Sequence, residues 1–175
     1  PTPASPILSG LVGSEMCIRD RNEDELALLR GNRFGFIFQN FHLIPTLTAL
    51  ENVVLSLELN NTPGATKKSE DLLSKVGLGD RLNHYPAQLS GGEQQRLSIA
   101  RAFVNEPDII LADEPTGNLD SKNSDHIMDL IQELHQVKKA TIILVTHESK
   151  VANQSQRILT LEDGKIISDQ EKEKV

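Results

Sequence analysis

This sequence predicts an α/β protein built on a parallel sheet, and three observations lead there. Short apolar runs, Phe34–Phe38, Ile109–Ala112 and Thr141–Val145, alternate with longer stretches whose apolar residues recur at helical spacing. The runs end on polar residues: Gln39, then Asp113-Glu114, then Thr146-His147, as strands do at the carboxyl edge of a parallel sheet. Strand alternating with helix requires crossover connections, so the sheet is expected to be parallel and covered on both faces.

The elements follow in order. Asn22 to Arg30 is polar with Leu26, Leu28 and Leu29, a short helix. Phe34–Phe38 is a compact buried strand, and 41–48 is a loop containing Pro45. Thr48 to Leu59 places Leu50, Val53, Val54 and Leu57 on one helical side, and Asn60 to Gly64 is a turn around Pro63. Thr66 to Val76 is an amphipathic helix closed by Gly77, and Gly79 to Gln88 is a short connector. Ser90 to Val104 is a helix, Ile109 to Ala112 a strand, Ser121 to Lys138 a helix buried along Ile127, Ile131 and Leu134, and Thr141 to Val145 a strand. Asp163-Gly164 between Arg157–Leu161 and Lys165–Ile167 signals a hairpin, and Lys172 to Val175 is a charged end.

Bulk properties narrow the function. The 175 residues suffice for one domain with a real core, and no apolar stretch approaches bilayer length. A net charge of -7 disfavours a nonspecific grip on nucleic acid, and 3% aromatics leave no base-stacking platform. One cysteine, Cys17, forms no internal disulfide, which fits a reducing setting.

Residues 1–21 read differently from the rest. Pro1, Pro3 and Pro6 break any regular start, and Ser14-Glu15-Met16-Cys17-Ile18-Arg19-Asp20-Arg21 resembles translated sequencing-adapter sequence. The expectation is an artefact joined to a genuine segment near Asn22, with a natural disordered tail as the alternative. An uninterrupted genomic reading frame through this stretch decides against the artefact.

Two motifs carry the chemistry. In Leu89-Ser90-Gly91-Gly92-Glu93-Gln94-Gln95-Arg96, Ser90 with Glu93 three residues on forms a capping box. Gly91 and Gly92 each cost a helix about 0.8–1 kcal/mol against alanine. They make sense where a ligand must approach the backbone, and a helix N terminus favours a phosphate. Taken alone, Ser-Gly-Gly is equally an ordinary capped helix. Downstream, Asp113 and Glu114 follow four aliphatic residues at a strand tip. One acid there can hold Mg²⁺ through water, and the next can act as a general base worth about 10²–10⁴-fold. His147 ends the following strand, where it can contact a terminal phosphate or hold the attacking water; Gln39 ends an earlier one, suited to orienting that water and completing a Mg²⁺ shell. His42, His84, His126 and His135 lack such placement and read as surface or packing residues.

From about Asn22 onward these motifs resemble the nucleotide-binding subunit of ATP-binding-cassette transporters. Leu89 to Arg96 are similar to that family's signature motif, Ile109 to Glu114 to its Walker B segment, Gln39 to its Q-loop glutamine, Gly117-Asn118-Leu119-Asp120 to its D-loop, and His147 to its switch histidine. Leu43 to Val53 and Asp113 to Asp120 look most like the lipoprotein-release and macrolide-export branch. The resemblance implies a P-loop NTPase-like core, with 47–88 as a helical insertion and 89–175 as the catalytic α/β part. It implies ATP and Mg²⁺ as ligands, and a head-to-tail dimer in which Ser90, Gly91, Gly92 and Glu93 close over ATP held by the partner, with Asp120 at the seam. It also implies Glu114, His147 and Gln39 as catalytic residues and Asp113 with Gln39 at the metal. The partner would be a membrane permease contacted by the helical insertion and the Gln39 loop, on the cytoplasmic face of the plasma membrane.

The same family uses a Gly-x-x-x-x-Gly-Lys-Ser/Thr phosphate loop, which these 175 residues do not contain: Gly164-Lys165 is followed by Ile166, and Lys68-Ser69 has no preceding glycine. Losing about three charge-assisted bonds removes roughly 4.5–9 kcal/mol, as much as supports millimolar-to-micromolar binding. The polypeptide as written is therefore expected to be inactive alone. The alternatives are a fragment that supplies only the signature half-site, and a soluble, non-transport ATPase of the same superfamily.

Overall fold

The structure, a computed structural model, describes residues 22–172. The expectations for residues 1–21, artefact or tail, and for the last three residues lie outside the described part. Helix α1 (Glu23–Arg33) starts on a capping box in which Asn22 and Glu25 bond reciprocally, and it runs three residues past the expected Arg30. It leads directly into strand β1 (Phe34–Phe38). Helices α2 (Ala49–Glu58) and α3 (Ala65–Lys75) follow, then two 3-10 turns, Gly79–Arg81 and Pro86–Gln88. The connector hooks back onto the head of α2, where the N–H groups of Ala49 and Leu50 donate to the carbonyls of His84 (2.8 Å) and Leu82 (2.9 Å). Next come α4 (Gly91–Phe103), β2 (Ile109–Asp113), α5 (Ser121–Lys138), β3 (Thr141–Val145), the short α6 (Ser149–Ala152) and the strands β4 (Arg157–Glu162) and β5 (Lys165–Glu171).

Strands β1, β2 and β3 form a parallel sheet in that order, and β4 pairs antiparallel with β5 in a separate two-stranded sheet. The parallel register is level: Gly35, Ile110 and Ile142 share one row, Ile37, Ala112 and Leu144 the next row on the same face, and Phe38, Asp113 and Val145 the last. The first two of those rows face the core, where Ile37, Ile110 and Ala112 are buried together with Leu97, Ile99 and Phe103 of α4 and Ile127 and Ile131 of α5. Gly35 is required here: a Cβ at this position would lie 2.4 Å from the carbonyl oxygen of Ala102, so α4 rests directly on the β1 backbone.

The sheet departs from the expectation of two covered faces. On the other face Phe34, Phe36 and Phe38 stack along β1 with centroids 6.4 and 5.9 Å apart. On the same face two strands away, on β3, Ile143 and Val145 are 50% and 58% exposed. Alternation of strand and helix predicts crossovers but does not by itself say that every helix of the described residues lies across both faces; here α4 and α5 pack against one.

Candidate functional site

The carboxyl edge of the parallel sheet gathers the predicted residues. Phe38 and Asp113 are register partners, so Gln39 and Glu114 leave adjacent strand tips side by side. Asp113 is the exposed last residue of β2, one residue beyond the predicted strand end. Glu114 then turns the chain with φ of 44°, a left-handed conformation rare for a side chain with a Cβ, while its N–H still donates to the carbonyl of Val145 (2.9 Å). That turn aims the carboxylate at the next loop. Its Oε1 accepts from the His147 backbone N–H (3.1 Å) and lies 2.5 Å from His147 Nδ1, and its Oε2 lies 3.5 Å from the Thr146 hydroxyl. The carboxylate is largely covered, with 17% of the side chain exposed, against 79% for His147. The bond and charge of Glu114 raise the His147 imidazole above its ordinary value.

Gln39 is held by the loop after Glu114. Its Nε2 donates to Asn118 Oδ1 (3.3 Å), while Asn118 Nδ2 donates to the Gln39 carbonyl (2.9 Å) and to Asn40 Oδ1 (3.1 Å). Gly117 makes this possible, since a Cβ there would lie 2.7 Å from Gln39 Nε2. Asp120 caps α5 by accepting from the Asn123 N–H (3.0 Å) and side-chain amide (2.7 Å).

The head of α4 has the predicted capping box. Ser90 N–H and Oγ both donate to Glu93 Oε2 (2.8 Å each), and Glu93 N–H donates to Ser90 Oγ (3.3 Å). These bonds, aided by Arg81 at 3.2 Å, hold the Glu93 carboxyl down at about 2. The neighbouring glycines are not demanded by their own chain. A Cβ on Gly91 would meet Leu119 at 3.8 Å and one on Gly92 would meet Asn123 at 3.5 Å, both ordinary contacts, and neither residue has positive φ. What two glycines provide is an open backbone at a helix end whose first N–H groups have no intrahelical partner.

Three residues outside the predicted set complete the geometry. Gln95 is fully buried and donates to the carbonyl of Pro115 (2.6 Å), tying α4 to the loop behind Glu114. Asn52, also buried, gathers the carbonyls of Ile44, Leu47 and Thr48 at 3.0–3.1 Å and so shapes the loop after Gln39. Arg101 donates to the carbonyls of Phe41 (2.8 Å) and His42 (2.5 Å), and burial lowers its guanidinium from the ordinary value. A polar residue inside an apolar helical pattern is the only sequence signal that Gln95 and Asn52 give.

The donor set fits a magnesium ion. Among the described residues no three His, Cys, Asp or Glu side chains cluster as a cage. Mg²⁺ needs none, since one or two carboxylates with water and substrate phosphates satisfy it. Asp113 supplies an exposed carboxylate, and Gln39, whose amide nitrogen is engaged by Asn118, presents oxygen as its remaining hard donor.

Comparison with known proteins shows the family and the fold. Residues 14–117, more than half of the chain, match the family model described as ABC transporter. The chain belongs to the ABC transporter family. The fold matches the ABC transporter cassette MJ0796, solved as a dimer, with TM-score 0.78 and 43% identity over 88% of this chain and 69% of that one. The same cassette bound to ADP and Pi, in a post-hydrolysis state, matches with TM-score 0.78 and 42% identity over 90% of this chain and 71% of that one. Among curated relatives of this ABC domain, the macrolide export ATP-binding/permease protein MacB of Bartonella quintana is 51% identical over 83% of the chain. An uncharacterized ABC transporter ATP-binding protein of Methanocaldococcus jannaschii is 53% identical over 83%. The chain spans 22% of the first protein's length and 66% of the second's. No helix among the described residues is long and apolar enough to cross a membrane.

Proposed function

We propose that this ABC domain hydrolyses ATP with Glu114 as the general base, and that it powers export through a membrane permease of the MacB type. The observation that carries the catalytic part is the Glu114–His147 pair: residues 33 positions apart in sequence brought to 2.5 Å at the tips of adjacent parallel strands.

The chemistry follows from that pair. In this resting arrangement the Glu114 carboxylate accepts from the His147 backbone and faces its ring, which holds it in place. The His147 ring is mostly exposed and can turn toward a terminal phosphate, leaving Glu114 a free lone pair for a proton of the attacking water. Gln39 positions that water from the neighbouring tip. Bound Mg²⁺, held by Asp113 and Gln39, supplies charge neutralisation at the phosphates. Ser90, Gly91, Gly92 and Glu93 present a helix N terminus to nucleotide bound by a second copy arranged head to tail, with Asp120 at the seam. The helices of 47–88 and the loop after Gln39 face the permease, which places the domain on the cytoplasmic side of the membrane.

The 175 residues taken alone contain no phosphate loop, and as an isolated polypeptide we expect no turnover. Phosphate release by the whole natural gene product is expected to fall by about 10²–10⁴-fold in Glu114→Gln, the effect of losing a general base. Undiminished turnover in that variant would remove Glu114 from the mechanism, and Mg²⁺-dependent turnover by the isolated 175 residues would overturn their expected inactivity. Copurification of the whole product with an integral membrane protein tests the export assignment.

A further inference from the structure

Residues 39–42 carry Gln39 out of β1 in a backbone shape that their side chains disfavour. Phe41 and His42 have φ of 61° and 47°, two successive left-handed residues without a glycine. Such geometry persists only when the surroundings impose it. The guanidinium of Arg101 does so, reaching from α4 to donate from Nη1 to the His42 carbonyl (2.5 Å) and from Nη2 to the Phe41 carbonyl (2.8 Å). A planar fork fixes the direction of both carbonyls at once. The His42 ring meets the Phe38 ring edge-on at 4.8 Å, and Asn118 Nδ2 donates to the Gln39 carbonyl (2.9 Å). The far end of α4, about 16 Å from Arg101 at 1.5 Å per residue, is the Ser90 cap with Gly91 and Gly92.

We propose that Arg101 is a positioning residue that ties the signature helix α4 to the Gln39 loop, so that a nucleotide seated at Gly91 and Gly92 sets the placement of Gln39. The helix is the rod and the carbonyls of Phe41 and His42 are its attachment. The functional consequence rests on the roles proposed above for Gln39 and Glu114; the hold of Arg101 on the loop does not.

The test uses the whole natural gene product. Arg101→Met keeps the apolar stem and removes the fork. It is expected to lower kcat about tenfold with KM changed less than about twofold, the signature of misplacement and not of lost binding. Amide exchange across residues 39–43 should accelerate in the same variant. Adding His42→Gly, which takes the left-handed shape without strain, should return kcat to within about threefold of the parent and restore exchange protection. Arg101→Lys, a point donor without the fork, should fall between. If Arg101→Met disturbs folding, Arg101→Lys with and without His42→Gly makes the same comparison. Unchanged kcat and exchange in Arg101→Met, or no recovery with His42→Gly, overturns the proposal. Activity surviving in Glu114→Gln would remove the functional reading alone, and the exchange result would still decide whether Arg101 holds the loop.

Discussion

Helix α4 and the β4–β5 hairpin lie at opposite extremes of this molecule. Of the thirteen residues of α4, eight are buried, and it touches β1 with only a glycine between backbones. The hairpin has no buried residue; Leu161 is 63% exposed, and its fixed features are the antiparallel ladder and a bidentate Arg157–Asp169 pair at 2.9 and 2.6 Å. The segment that carries the paired glycines Gly91 and Gly92 is thus firmly held by the core. Under the function proposed above, a backbone that keeps N–H groups aimed at a phosphate gains from having nowhere to move.

Six measurements would sharpen or break that contrast. Phe103→Ala, at a fully buried position, is expected to cost about 3–5 kcal/mol in denaturant unfolding. Leu161→Ala in the hairpin should stay within about 0.5 kcal/mol. Equal costs would mean that α4 is no better anchored. Gly35→Ala forces a methyl against Ala102 and should cost about 1–3 kcal/mol, and a neutral result would show that α4 can slide over β1. Glu93→Gln probes the head of the helix. The depressed carboxyl contributes stability present above about pH 4.3 and lost as pH falls through about 2. The gap between parent and variant unfolding midpoints, about 0.5–2 kcal/mol at neutral pH, should therefore close on acidification; a constant gap would mean that Glu93 acts without its charge.

The remaining two expectations concern exposed groups and are smaller in stability. His147 should titrate above its ordinary value near 6.5 by NMR, and Glu114→Gln should return it toward that value. Because the folded value is raised, the pairing is complete below about pH 6.5 and disappears as pH climbs through the higher value. An unshifted histidine would mean that Glu114 is not its partner in solution. Asp169→Asn should shift the unfolding midpoint only slightly, and less in high salt, as exposed ion pairs do.

The strands and helices were legible in the sequence because aliphatic runs and helical spacing are local. The strand run of 109–112 missed only Asp113, whose carboxylate does not look like strand. The capping box at Ser90 was legible for the same reason, since its partners are three residues apart. What the sequence could not show is the backbone turn at Glu114 and the contacts it creates. Asn118 meets Gln39 across 79 positions, and Arg101 meets Phe41 across 60, pairings that depend on which strands are neighbours. Asn118 and Gln39 were present in the motifs as letters without a partner, whereas Arg101 lay in no motif. The half-open face of the sheet was equally hidden, since Ile143 and Val145 are as aliphatic as Ile142 and Leu144 and differ only in the side on which they emerge.

The level ending of the three parallel strands sets a rule for how this domain can vary. Phe38, Asp113 and Val145 stand in one row, so every loop of the site departs from a common line. Adding or removing a single residue within any strand would turn its tip over, exchanging an inward side chain for an outward one and carrying Glu114 or His147 out of reach of the other. Changes in chain length are therefore expected to accumulate ahead of the strands, in the stretches before Phe34, Ile109 and Thr141, and to be rejected between those residues and the site.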